Sequence, residues 1–135
     1  MPINSSRRSA GDTAARCIID GEISNGVTWV EDVEITEDGT AIAGTPTSWT
    51  WTLTLREDYN TSAIFTATTS NYLTITQGTD STTLAIRVPK ASIADLKGEY
   101  IIDLKSLDGS DLTADSAGLS KHWGHGIVTV RNEPV

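Results

Sequence analysis

The chain has 135 residues, a formal net charge of −8 and a single cysteine. This length predicts one domain with one buried core. The acidic balance argues against a nucleic-acid partner, because phosphate contacts need clustered lysine and arginine. No apolar run approaches the roughly 20 residues of a membrane span, and no hydrophobic stretch follows Arg7 and Arg8 as in a secretory signal. We therefore expect a soluble protein that is made in the cytoplasm and has no membrane partner.

The N-terminus differs from the remainder in charge. Residues 1–14 are polar and lack hydrophobic periodicity, which predicts a flexible arm ahead of a β-sandwich domain at 15–135. The first 16 residues carry Arg7, Arg8 and Arg16 against one aspartate, a net charge of +2 that leaves −10 for the rest. Two interpretations stay open: a frayed terminus, or an assembly arm that orders against an acidic neighbouring subunit.

Short alternating stretches with turn residues between them predict an all-β protein. The predicted strands are Ala15–Ile23, Val27–Thr36, Ser48–Arg56, Ala63–Thr68, Asn71–Thr76, Thr82–Val88, Glu99–Leu107 and one within His122–Asn132. One short helical turn is predicted at Pro89–Leu96, with proline at its start and Gly98 after its end. About seven to nine strands with this spacing are typical of an antiparallel immunoglobulin-like β-sandwich.

The most regular alternation lies in Ser48–Arg56. Large apolar side chains occupy its odd positions, and threonine or another polar residue occupies the even ones. Successive side chains of a strand point to opposite faces, so this pattern predicts one dry face and one threonine-rich wet face. We expect this strand inside a sheet, with Trp49 and Trp51 in the core.

Two other strands carry residues with a predicted role in assembly. The first strand contains Cys17, Ile18 and Ile19, and we expect it at a sheet edge, where an unpaired strand is a template for pairing with another subunit. The second strand places Val27, Trp29, Val33 and Ile35 on one face, and Glu31 falls on that same face. Because a carboxylate on a core face is costly unless it is paired, Glu31 indicates a bulge, a sheet margin or an interface.

Aromatic residues and histidines give little indication of a ligand site. Trp29, Trp49 and Trp51 fall on core positions, so Tyr59 and Trp123 are the only aromatic residues expected to be exposed, and a carbohydrate-binding module would use those two. His122 and His125 are three residues apart in a strand, where they should point to opposite faces. No third metal ligand is apparent, so we predict neither a metal site nor a cofactor.

No enzyme motif is present in the sequence. It contains no Gly-x-Ser-x-Gly, no phosphate-binding glycine loop and no cysteine–histidine nucleophile pair. Carboxylates cluster next to predicted turns, which is typical of solvated faces. We therefore predict no catalytic residues and a non-enzymatic protein.

A series of short motifs across residues 26–135 resembles the small immunoglobulin-like β-sandwich of tailed-bacteriophage structural proteins. The motifs, in order, are Val27–Trp29, Glu37–Thr40, Gly44, Trp49–Leu53, Leu96–Leu104, Asp108-Gly109 and Gly126–Val130. The series is similar to the N-terminal domains of baseplate upper proteins and tail-fibre adaptors. In such proteins this domain attaches to the virion and a following domain binds the host. Because this chain stops at Val135, we expect an assembly role in place of receptor binding.

The resemblance implies a virion component that is synthesised in the host cytoplasm and attached to the tail, baseplate or neck in many copies. Its partners would be copies of itself and other virion proteins. A capsid decoration or head-fibre protein is the alternative within the virion, and a carbohydrate-binding module is the alternative from another class. The expected interface residues are Arg7, Arg8, Arg16, Cys17, Ile18, Ile19, Glu31, Tyr59 and Trp123.

Overall fold

A computed structural model of the chain describes residues 17–18, 21–37 and 39–132, without the side chains of Cys17 and Ile18. Arg7, Arg8, Arg16 and Ile19 lie outside the described residues, as does the predicted arm at 1–14.

Strands dominate the described part of the chain. It forms β1 (Cys17–Ile18), β2 (Gly21–Ser24), β3 (Trp29–Ile35), β4 (Thr50–Arg56), β5 (Phe65–Thr68), β6 (Leu73–Gln77), β7 (Thr82–Val88), α1 (Lys90–Ile93), β8 (Gly98–Asp108) and β9 (Leu119–Arg131). A single 3₁₀ turn at Pro46–Ser48 leads into β4. The helix is one turn long and lies within the predicted segment; its Ile93 is fully buried in the core.

The strands form two sheets, and the predicted all-β sandwich is confirmed. The large sheet has the order β1-β9-β8-β4-β5, with β2 also paired to β9, and the small sheet has the order β3-β7-β6. If β3 is taken as strand B, the small sheet follows the order B-E-D of the immunoglobulin fold. The large sheet then follows G-F-C, with β5 added beside C as in variable-type domains.

The N-terminal edge differs from the predicted single antiparallel strand. In place of one strand at Ala15–Ile23, the described residues form two short strands, β1 and β2, and both pair with β9 in parallel. The other strand pairs are antiparallel. The position at a sheet edge is as predicted. The parallel direction was not predictable from local pattern, because it arises where the first described strands lie beside β9, the last described strand.

Strand β4 occupies the interior position that its alternation predicts. It lies between β8 and β5, with Leu53 opposite Leu104 on one side and Ala67 on the other. Trp51, Leu53 and Leu55 are fully buried. The threonines face away from the core, so a one-residue register slip would exchange them with the apolar set.

Three tryptophans meet in the core between the sheets. The ring centroids of Trp49 and Trp51 are 6.1 Å apart, and those of Trp51 and Trp123 are 5.6 Å apart. The indole N–H of Trp51 donates to the carbonyl oxygen of Pro46 at 2.9 Å. Each indole removes roughly 150–250 Å² from water, so this cluster is a major part of the core.

The exposure expected for Trp123 is wrong, because its side chain has no exposed surface. The cause is an irregularity in the β8–β9 pairing: Leu104 pairs with Gly124, but the next residue, Lys105, pairs with His122. Trp123 is therefore an extra residue in β9, as in a β-bulge, and it breaks the alternation that would direct it outward. The bulge turns the indole into the core.

Two further expectations about side-chain direction are also corrected. His122 and His125 do not point to opposite faces, because the same bulge brings their rings together, with centroids 6.0 Å apart and 18° between the planes. Val27 is 54% exposed and does not share the core face, since β3 begins only at Trp29.

Candidate interaction surfaces

The N-terminal edge of the large sheet is the first candidate. Cys17 pairs with Gly124 and Ile18 with His125, while β2 continues along β9 from Gly21 to Ser24. The backbone of Cys17 and Ile18 thus lies at the sheet edge where a subunit-pairing strand was predicted. The segment with Arg7, Arg8 and Arg16 enters the described structure at this point.

Glu31 lies on β3, which is one of the two edge strands of the small sheet in the described part of the chain. The pairing of β3 with β7 runs without a break from Trp29 to Ile35, so the bulge interpretation of Glu31 is wrong and the sheet-margin interpretation fits. Its carboxylate Oε1 accepts a hydrogen bond from the indole N–H of Trp29 at 3.0 Å. This bond offsets the cost of a half-buried carboxylate beside the core.

A shallow groove runs beside β3, between the edges of the two sheets. Its lining residues are Glu22, Ile23, Ser24, Val27, Thr28, Trp29, Val30 and Arg131. Val27 and Val30 are 54% and 61% exposed, which leaves two apolar side chains in solvent next to a strand edge. Sequence reasoning missed this groove, because Val27 was expected in the core and the proximity of β2 and β3 depends on sheet assembly.

A second groove lies on the outer face of the large sheet. It is lined by Thr50, Thr52, Thr54, Arg56, Lys105, Ser106, Leu107 and Ser120. The threonines are the wet face predicted for β4, and Lys105 lies opposite Thr52 in the β4–β8 register. The guanidinium of Arg56 donates to the carbonyl oxygen of Thr61 at 2.8 Å, so it also holds the following loop.

The histidine pair lies on the same outer face. His122 Nε2 is 3.0 Å from Asp103 Oδ1, and both side chains are partly exposed. Two imidazoles and a carboxylate can form hydrogen bonds with a polar ligand there. Within residues 21–37 and 39–132, no three histidine, cysteine, aspartate or glutamate side chains come together with the geometry of a metal site.

Tyr59 is the exposed aromatic residue that the sequence predicted, at 76% exposure. It lies in the loop after β4, where its backbone N–H donates to Oδ1 of Asp58 at 2.6 Å. In the same turn, the hydroxyl of Thr61 donates a hydrogen bond to the carbonyl oxygen of Asp58. Since Trp123 belongs to the core, the two-residue aromatic platform expected for a carbohydrate-binding module is reduced to Tyr59.

One surface carboxyl has a shifted pKa. The hydroxyl of Thr113 donates to Oδ1 of Asp111 at 2.6 Å, and the backbone N–H of Thr113 donates to the same oxygen at 3.2 Å. Both bonds stabilise the ionised form and lower the pKa of Asp111 below its usual 3.8, the hydroxyl bond contributing most. Asp111 lies in the loop between β8 and β9, outside the two grooves.

Comparison with models of known protein families and with curated protein sequences gives no match. In the described part of the chain, no helix has the length and apolar character needed to cross a membrane.

Proposed function

We propose that this protein is a non-enzymatic structural component of a tailed-bacteriophage virion, attached to the tail, baseplate or neck in many copies. The observation that carries the proposal is the position of the resembling motifs. Leu96–Leu104 leads into and forms most of β8, and Gly126–Val130 lies in β9. Trp49–Leu53 leads into β4 and forms its first half. These three strands are neighbours in the large sheet.

The proposed mechanism is docking by symmetric repetition. The first 16 residues, called the basic segment below, carry a net +2 charge, and the rest of the chain carries −10. The basic segment of one copy is therefore attracted to the acidic remainder of another copy. A polar segment that orders on contact gives up conformational entropy and in return contacts a large surface on its neighbour. The edge formed by β1 and β2 supports the same role, because a strand edge can pair with another chain.

The test is to find the protein in purified particles. Phage particles released from the cells that encode the chain are separated into heads and tails, and each fraction is probed with an antibody against the purified protein. Tail-associated signal in multiple copies per particle supports the proposal. Signal on heads alone selects the capsid decoration or head-fibre alternative, and absence from both fractions contradicts a virion role.

A further inference from the structure

The outer edge of β3 is an open position in the sandwich. In constant-type immunoglobulin domains the first strand, A, pairs with strand B and completes the small sheet. Here β3 takes the place of B, but β1 and β2 pair with β9 in the other sheet. Among the residues that the structure describes, β3 pairs only with β7. A strand edge of seven residues is thus left for pairing.

The side chains beside this edge suit an extended segment that is partly apolar and basic. Val27 and Val30 are exposed next to the groove between β2 and β3. Strand β3 itself carries three carboxylates, on Glu31, Asp32 and Glu34. Arg87 partly balances them, because it forms an ion pair with Asp32 at 2.9 Å and donates to the carbonyl oxygen of Glu31 at 3.1 Å. The edge therefore keeps an excess of negative charge.

The basic segment has the charge and the reach to occupy this edge. It carries Arg7, Arg8 and Arg16 against one carboxylate. Sixteen extended residues span roughly 50 Å, whereas a strand of seven residues spans roughly 23 Å. Arg7 and Arg8 are successive residues, so in a bound strand one would lie on the face of Asp32 and Glu34 and the other on the face of Glu31. Opposite charges across a strand pair are stabilising.

We propose that the β3 edge is the docking site for the basic segment of a second copy of this chain. The proposal deepens the proposed function, since it rests on the self-assembly of the protein and names the surface that receives the segment. Within its own chain the segment leads into Cys17, beside Gly124 in the large sheet. To reach β3 it would have to cross to the other sheet, a constraint that a neighbouring copy does not have.

The experiment is a charge exchange followed by analytical ultracentrifugation. One variant reverses the segment (Arg7→Glu with Arg8→Glu), and the other reverses the edge (Asp32→Lys with Glu34→Lys). We expect wild-type protein to self-associate with rising concentration, and each variant alone to associate roughly tenfold more weakly or worse, as like charges replace opposite ones. An equimolar mixture of the two variants should restore association, because each reversed surface then meets a complementary one.

Two controls separate this site from a general charge effect. The variant Glu57→Lys with Glu99→Lys makes the same change in net charge at exposed positions of the large-sheet side, and it should associate like wild type. The variant Asp32→Asn with Glu34→Gln removes the edge charges without reversing them and should give an intermediate affinity. Circular dichroism confirms that each variant is folded. Association should also weaken from about 0.05 M to about 0.5 M salt, since exposed charges are screened.

Three results would overturn the inference. The first is wild-type protein that stays monomeric at all concentrations; if reversal of the segment then also lowers thermal stability, the segment docks on its own chain. The second is an edge-reversed variant that associates as strongly as wild type, and the third is a mixture that fails to restore association. None of these results removes the protein from virions, so the particle fractionation above tests the proposed function separately.

Discussion

The indole N–H of Trp123 donates to the hydroxyl oxygen of Ser106, with 2.6 Å between Nε1 and Oγ, inside the core. The bond joins β9 to β8 next to the bulge that turns Trp123 inward. A buried N–H without a partner is costly, so Ser106 permits an indole at this position. In the described part of the chain, every buried side-chain nitrogen and oxygen has such a partner.

Replacing Ser106 with alanine should destabilise the domain by about 1–3 kcal/mol, because the Trp123 N–H is then left unpaired in the core. The measurement is chemical denaturation followed by tryptophan fluorescence. Ser120→Ala, at an exposed position of β9, is the control and should change the free energy of unfolding by less than about 0.5 kcal/mol. Equal effects of the two substitutions would contradict the role of Ser106.

The tryptophan cluster should dominate the stability of the sandwich. Trp51→Ala removes a fully buried indole that contacts two others, and the expected loss is about 3–5 kcal/mol. Since domains of this size are stable by only about 5–15 kcal/mol, Trp51→Phe is the variant that keeps the protein folded for comparison. Tyr59→Ala, on the exposed loop, should change stability by less than about 0.5 kcal/mol. Thermal unfolding measures all three, and a larger loss at Tyr59 than at Trp51 would refute this view of the core.

Regular strands were predictable from the sequence because one face of each is buried, which makes apolar and polar residues alternate along the strand. The alternation in β4 gave its buried residues, and β7 has the bounds Thr82–Val88 that the sequence predicts. The bulge at Trp123 was not predictable, since it depends on how β9 aligns with β8. That single extra residue reversed the expected exposure of Trp123 and the relative orientation of the two histidines.

The candidate interaction surface was predictable only in its chemistry. The contrast between a basic N-terminus and an acidic remainder is visible in the sequence. The position of Glu31 on the apolar face of its predicted strand is visible there too. The open edge of β3 is not, because it follows from the pairing of β1 and β2 with β9 in the other sheet. Which of the two sheets an N-terminal strand joins is decided by tertiary packing and leaves no local pattern in the sequence.

Gly118 should tolerate alanine less well than Gly98. Both have positive φ, 114° and 97°, so alanine is strained at either position. A Cβ at Gly118 would lie 2.7 Å from the carbonyl oxygen of Asp108, whereas a Cβ at Gly98 meets nothing within 4 Å. We expect Gly118→Ala to cost about 1–3 kcal/mol more than Gly98→Ala in chemical denaturation. A smaller loss at Gly118 would mean that the β8–β9 loop moves freely to accept the methyl group.

The pKa of Asp111 should rise towards its usual 3.8 in Thr113→Val, which removes the hydroxyl that donates to the carboxylate. Thr113→Ser keeps that hydroxyl and should leave the pKa low. In the wild type the folded-state pKa lies below the unfolded one, so the ionised carboxylate favours folding above the unfolded pKa. This contribution is lost as the pH falls through the folded-state pKa. An NMR titration of the side-chain carboxyl measures the shift, and identical pKa values in the two variants would contradict this cause.

Self-assembly through the N-terminus is the central part of the proposed function. Sedimentation of the full-length chain beside a variant that lacks residues 1–14 tests it directly. We expect the full-length protein to form a defined oligomer and the shortened protein to be a folded monomer, because the removed residues include Arg7 and Arg8. Two monomers, or two identical oligomers, would contradict the account.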